Sequence, residues 1–198
     1  MPEKDKTRKA LAEALKAIMR KVPFAKISIN DICEKAGTSR RNFYRYFPDK
    51  YALLNWIYET ELGNTFPSDD SWLIQDYVPY VCNHVYQDRL FYSNAFTVTG
   101  QNSFRSFFEE RMKPKFMHDY GDVFMSDVAA KFYISHITDA ILDRILIWLK
   151  SEPCMPPEEF AEYMKESSAM VARRMWDNLQ ISQARGRENE QESASKRN

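Results

Sequence analysis

The stretch Ile27-Ser28-Ile29-Asn30-Asp31-Ile32-Cys33-Glu34-Lys35-Ala36-Gly37-Thr38-Ser39-Arg40-Arg41-Asn42-Phe43-Tyr44-Arg45-Tyr46-Phe47-Pro48-Asp49-Lys50 decides the fold. Ser28 offers an N-cap oxygen, and Asp31, three residues on, is a short-armed partner for a capping box. Ile29, Ile32, Cys33 and Ala36 recur at i, i+3, i+4 and i+7, the buried stripe of a helix of barely two turns. Gly37 follows, where a helix ends on a residue of positive φ. Thr38 and Ser39 can cap the next start. Phe43 and Phe47 then lie one turn apart on a third short helix, which Pro48 stops. Asp49 caps a fourth helix whose buried face is Leu53, Leu54, Ile57 and Tyr58. Two short helices around a glycine turn, each with its own core stripe, describe a helix-turn-helix.

Upstream, Leu11, Leu15, Ile18, Met19 and Val22 form one apolar stripe on a helix from about Lys4 to Lys21, ended by Pro23. Downstream, glycines and prolines divide the chain into helices expected at about 71–88, 89–98, 102–118, 125–150 and 157–181. Pro79 and Pro114 predict a kink or break inside two of them. The fold class is all-α. Residues 1–50 are a three-helix DNA-binding head continuing into a connecting helix at 49–65. Residues 51–182 are a helical body, and 183–198 a disordered tail without a large apolar residue.

Composition narrows the function. The 198 residues are 44% hydrophobic and 28% charged, enough for a packed core. Five glycines speak against a β-sandwich, a barrel or a Gly-rich nucleotide fold. No long uncharged apolar run predicts a membrane span, and no apolar segment follows the charged N-terminus as a signal peptide would need. Cys33, Cys82 and Cys154 are odd in number and far apart, fitting a reducing, cytoplasmic setting. Formal charge is zero, yet residues 1–50 hold eight Lys and five Arg against six acids. The head is therefore +7 and the remainder −7, and the head suits a polyanion such as nucleic acid.

Around the two buried phenylalanines, the third helix presents Ser39, Arg40, Arg41, Asn42, Tyr44, Arg45 and Tyr46. Arginine suits guanine edges and asparagine suits adenine in a major groove. Lys50 can reach the DNA backbone from the next helix. The whole run resembles the DNA-binding signature of the TetR family: an apolar residue with Asp31-Ile32, then Ala36-Gly37, Ser39, Phe43-Tyr44, Tyr46-Phe47, Lys50 and Leu53. That resemblance implies an all-helical dimeric repressor with three N-terminal helices for DNA and a divergent effector-binding body. It puts Ser28, Ser39, Arg40, Arg41, Asn42, Tyr44, Tyr46 and Lys50 at operator contacts. Thr38 replaces the usual apolar residue after the glycine, and Arg41 replaces a small one, so base preference does not carry over. Trp56, Phe91-Tyr92 and Gly100-Gln101-Asn102-Ser103-Phe104-Arg105 are similar to the branch that includes the dihydroxyacetone-kinase regulator, in which at least one member is an activator.

A single head reads few base pairs, so a two-fold dimer on a pseudo-palindrome is expected. The two C-terminal helices are the natural interface, with Trp148, Met164, Val171, Met175 and Trp176 as its buried positions. Phe132, His136, Ile137, Ile141, Ile145, Trp148 and Leu149 form one broad stripe there. The middle helices are aromatic, each ring either core or pocket wall. Tyr80, His84, Tyr92, Phe96, Phe108 and His136 are the candidates to line a pocket for a small-molecule effector, unidentified. Cys82 and His84 fall on different helix faces, and no cluster has metal-ligand spacing, so no metal or cofactor is expected. No nucleophile or nucleotide motif points to an enzyme. The expected function is a sequence-specific DNA-binding regulator, an effector-gated repressor acting as a dimer. The alternative is a partner-dependent activator whose body recruits a protein coregulator.

Overall fold

The computed structural model describes residues 3–63, 74–100, 103–120, 126–167, 169–170 and 173–174. Every regular element among them is helical: α1 (Glu3–Met19), a 3-10 turn (Phe24–Lys26), α2 (Ile29–Lys35), α3 (Arg40–Tyr44), α4 (Lys50–Glu61), α5 (Ile74–Gln87), α6 (Arg89–Ala95), α7 (Phe104–Tyr120), α8 (Asp127–Lys150) and α9 (157–167).

Local chemistry sets the ends of the head's helices. At α2 the Ser28 hydroxyl accepts the Asp31 amide at 3.2 Å, and the Ser28 amide donates to the Asp31 carboxylate at 2.8 Å, a reciprocal capping box. Those bonds, led by the Ser28 backbone amide, hold the Asp31 carboxyl below its ordinary pKa. At the other end Gly37 takes φ +64, Thr38 N bonds Cys33 O at 2.9 Å and Gly37 N bonds Glu34 O at 3.2 Å. This is a full Schellman closure. Ser39 caps α3 and Asp49 caps α4. α1 stops at Met19, two residues short of expectation, because bonds from Arg20, Lys21 and Val22 to Lys16 and Ile18 wind the chain off as a turn before Pro23.

Leu11, Leu15, Met19, Ile32, Phe43, Leu53 and Leu54 are almost fully buried and form the head's core with Phe24, Ile27 and Phe47. α4 then leads out of the head. Its Trp56 meets Phe47 at 5.9 Å, and its Tyr58 lies edge-on to Phe104 of α7 at 5.0 Å. In the body, α7 and α8 are clasped by Arg105, which pairs with Asp139 and Asp143. The helices run on unbroken through Pro79 and Pro114, where a kink or break was expected. A proline deletes one N–H from a helix that the neighbouring bonds still hold.

α8 divides its apolar surface into two sides. Ala130, Ile134, Thr138, Leu142, Ile145 and Leu149 face the core. Phe132 is 77% exposed, Val128 76% and Ile147 57%, so the expected single stripe is in fact two faces. Residues 183–198, and the outer parts of the helices expected at 71–88 and 157–181, lie outside the described residues.

Candidate nucleic-acid interface

The head displays one polar surface on a rigid base. Phe43, with no exposed area, and Phe47 fix α3 from beneath, so the side chains on its other side stand outward. Arg40, Arg41, Tyr44 and Arg45 are exposed, and Asn42 and Tyr46 are half-buried at the edges. Two local bonds order this surface. The Arg40 guanidinium donates to the Tyr44 hydroxyl at 3.2 Å and lies over the same ring, 5.8 Å from its centre. The Tyr44 hydroxyl raises the arginine's pKa further. Asn42 Nδ2 donates to Thr38 Oγ1 at 2.8 Å, so the threonine in place of an apolar residue ties the turn to α3 through its hydroxyl. Arg41 projects one position along, outside the Arg40–Tyr44 pair. Three guanidiniums and a phenol on one short, capped helix and its C-cap Arg45 match the donors a duplex requires: flat forks for guanine edges and cations for phosphates.

Two expected contacts are engaged within the chain. The Ser28 hydroxyl donates to the Asp31 carboxylate at 2.7 Å while it caps α2, although it remains exposed. Lys50 is the second. Its ammonium donates to Ile27 O at 2.7 Å and Phe24 O at 2.9 Å, with Ala25 O at 3.4 Å, and sits 4.6 Å from the centre of the Phe24 ring. The ammonium faces the carbonyls of the 3-10 turn and of its C-cap Ile27, so this lysine braces the turn against α4. Burial lowers its pKa.

Five of the six pocket candidates follow one another through ring contacts, with Tyr92 meeting Phe96 at 5.8 Å and Phe104 linking Phe96 to Phe108. Tyr80, His84 and Tyr92 are together: Tyr80 stacks on His84 at 6.2 Å, and His84 Nε2 lies 3.1 Å from the Tyr92 hydroxyl. Phe96 packs against Phe104 at 4.2 Å, and Phe108 is buried beside that same ring. His136 lies apart from the other five. It is exposed on α8, stacked flat on Phe132 at 6.5 Å, and so belongs to the outer face. None of the six lines the groove beside α1 and α2 (Ile18, Val22, Ile27 and neighbouring charges) or the hollow on α7 around Glu109 and Pro114.

Of the expected interface residues, Trp148 lies inside. It is 4% exposed, stacked between Phe160 at 4.2 Å and Tyr86 at 5.7 Å, and its Nε1 donates to Met155 O at 2.9 Å. It is core of its own chain. Met164 is half-buried against that core, and Val171, Met175 and Trp176 lie outside the described side chains.

A set of residues that sequence reading passed over joins the head to the body. Lys16 of α1 pairs with Glu61 at 2.5 Å and Asp88 at 3.4 Å, and Arg20 holds Asp88 through two bonds at 2.8 and 2.7 Å. Glu61 also accepts the Tyr92 hydroxyl at 2.7 Å and faces His84 at 3.4 Å. Burial works to raise the Glu61 pKa, but the bonds from His84, Lys16 and Tyr92 win and hold it down to about 2. Burial, with the Glu61 charge second, drives the Tyr92 hydroxyl far above its ordinary value. A lysine on an amphipathic helix reads as solvated in sequence, and no local signal marks Lys16 as 9% exposed.

Comparison with known proteins is consistent with this geometry. A family model described as bacterial regulatory proteins, tetR family, matches residues 11–57, and a second, described as a transcriptional regulator C-terminal region, matches 73–169. The HTH-type dhaKLM operon transcriptional activator DhaS of Lactococcus lactis is 28% identical over 103 residues, 52% of this chain and 54% of that protein, so the alignment spans about half the relative. Among solved structures, the dihydroxyacetone kinase operon activator DhaS superposes with a TM-score of 0.57 at 21% identity, covering 84% of this chain and 96% of that one. A TetR transcriptional regulator from Streptococcus agalactiae gives 0.62 at 19% identity, covering 83% and 94%. At these identities the structures speak for the fold.

Proposed function

Because this chain belongs to the TetR family of bacterial transcription regulators, we propose that it is a sequence-specific, effector-gated repressor that docks α3 in the major groove of a pseudo-palindromic operator as a homodimer. The observation that carries this reading is the α3 surface: exposed Arg40, Arg41, Tyr44 and Arg45 on a helix locked from below by Phe43 and Phe47. Arg41, outside the Arg40–Tyr44 pair, is assigned to a base edge. Arg40, Tyr44 and Arg45, with Ser39 at the helix start, are assigned to the sugar-phosphate wall, and Thr38 and Asn42 position them. Residues 1–50 act as the DNA-binding unit and 51–182 as the effector-binding and dimerisation unit.

The outer face of α8 supports the dimer. Val128, Phe132 and Ile147 occupy one sector of the helix, with Tyr163 at 55% and Met170 at 72% exposure on the segment that follows. Large apolar side chains lined up in this way are the mark of an interface. A two-fold pairing buries one such patch against its copy.

Fluorescence anisotropy with duplex DNA from upstream of the chain's own gene, against a scrambled duplex, tests the reading. Specific binding should exceed the scrambled control by about 10³-fold or more at fixed salt. Arg41→Ala should weaken specific binding by about 1–3 kcal/mol and relax preference at one base position. Arg40→Ala should weaken both duplexes alike. Unchanged operator affinity in both variants sinks the docking model.

One comparison favours a second reading. The similar Lactococcus protein is by name an operon activator, so the chain would recruit a protein coregulator and activate. Light scattering on DNA-bound protein, with and without cell-extract fractions, separates the two, since a repressor gated by a small molecule keeps the mass of a dimer.

A further inference from the structure

Glu61 divides its two oxygens between the two halves of the molecule. Oε1 takes the ammonium of Lys16, on the helix that carries the head's core residues Leu11 and Leu15. Oε2 takes the hydroxyl of Tyr92 on α6 and faces His84 on α5. Beside it, Arg20 and Asp88 form a second, two-bonded tie between α1 and the corner of α5 and α6, and Asn94 of α6 donates to Met19 O. Two cations and two carboxylates close a balanced network between head and body. Lys16 is too buried to be left without its carboxylate at low cost, because a buried charge that loses its partner is strongly destabilising. The orientation of α1 on the body is therefore fixed by directional bonds in addition to the apolar core that the two halves share, and apolar packing alone tolerates sliding. The body end of the network also reaches the surface: His84 stacks on Tyr80, which is 42% exposed.

We propose that Glu61 is the positioning residue of head–body coupling: a ligand that engages Tyr80 and His84, the accessible end of the network, competes for Oε2, and the change passes through Oε1 and Lys16 to the orientation of the DNA-binding head. This rests on the effector-gated reading for its use, but the lock itself requires neither DNA nor ligand. Coupling of this kind needs a two-state element that both sites bias, and the Glu61 carboxylate supplies it, with both partner sets on one group. Displacing Tyr92 frees Oε2 and lets the Glu61 carboxylate turn, so that Lys16 leans further on Asp88, already paired at 3.4 Å, and carries α1 with it.

The test is a distance measurement within the full-length chain. Spin labels are placed at exposed positions of head and body by Glu34→Cys and Arg144→Cys, with Cys154→Ser to leave only the buried native thiols, and the sample is diluted with unlabelled protein. The parent should give one narrow head–body distance. Tyr92→Phe, which keeps the ring and removes the hydroxyl, and Glu61→Gln should each shift or broaden it, and Lys16→Met with Tyr92→Phe should do no more than either alone. A residue that matters only for stability would lower Tm and leave the distance unchanged. Arg41→Ala should also leave it unchanged, so failure of the DNA assignment is distinguishable from failure of this one. Should Glu61→Gln not fold, Tyr92→Phe decides alone: a distribution identical to the parent's in folded protein overturns the proposal.

Discussion

Gly37 shows what one residue can dictate. Its φ of +64 lies where a side chain is strained, yet nothing stands within 4 Å of where a Cβ would go. Substitution therefore meets a backbone penalty without a steric one, and Gly37→Ala should cost about 1–2 kcal/mol. Urea unfolding checks this: the midpoint should fall at constant m-value. An unchanged midpoint would mean that the turn relaxes to another conformation. Lys50 makes the opposite point. Its sequence position beside the helix-turn-helix suggests an outward cation, but its bonds go to carbonyls 23 to 26 residues back. A long flexible ammonium goes where three acceptors converge, and only the packed turn brings them together.

At the scale of elements, α8 is the informative helix. It is apolar on more than one side, which within a single layer leaves a face uncovered. Its inner residues meet the core, while Phe132 and Val128 remain about three-quarters exposed. A second copy covers them in the dimer proposed above. Phe132→Asp places a charge at the centre of that contact, where it would have to be desolvated without a partner. The variant should sediment as a monomer while keeping its far-UV helix signal, because the side chain contributes nothing to the chain's own core. A Phe132→Asp protein that remains dimeric would place the interface elsewhere.

At the scale of the whole molecule, the head–body junction adds to the shared apolar core a set of charges whose pairing depends on pH. Glu61 is at about 2 when folded, below its ordinary value of 4.5. A depressed carboxyl contributes stability that is complete above the unfolded value and is lost as pH falls from about 4.5 through about 2. A shift of this size corresponds to about 3 kcal/mol, reduced to about 2 by partial solvent screening. Unfolding midpoints measured between about pH 6 and pH 2.5 should fall more steeply in the parent than in Glu61→Gln, which has no proton to take up. Parallel pH profiles would show that the carboxylate contributes nothing through its charge.

How much was legible followed the range of the forces. The capping box at Ser28 and Asp31, the Gly37 closure, the caps at Ser39 and Asp49 and the burial of Phe43 and Phe47 are settled over three to five residues. Hydrogen-bond geometry and helical period act over just that span. The head and the side chains on its outer surface could therefore be read directly from the sequence. Lys16 finds Glu61 45 residues away and Arg20 finds Asp88 at 68, and no local pattern encodes such pairings. The same holds for the fate of apolar rings on a helix hydrophobic on two sides. Trp148 went inside because Phe160 and Tyr86 sandwich it, and Phe132 and His136 stayed outside because nothing in the described chain reaches them. Periodicity tells that a residue wants burial; which neighbour buries it is decided only when distant helices pack, since that choice depends on volumes and charges the local chain does not contain.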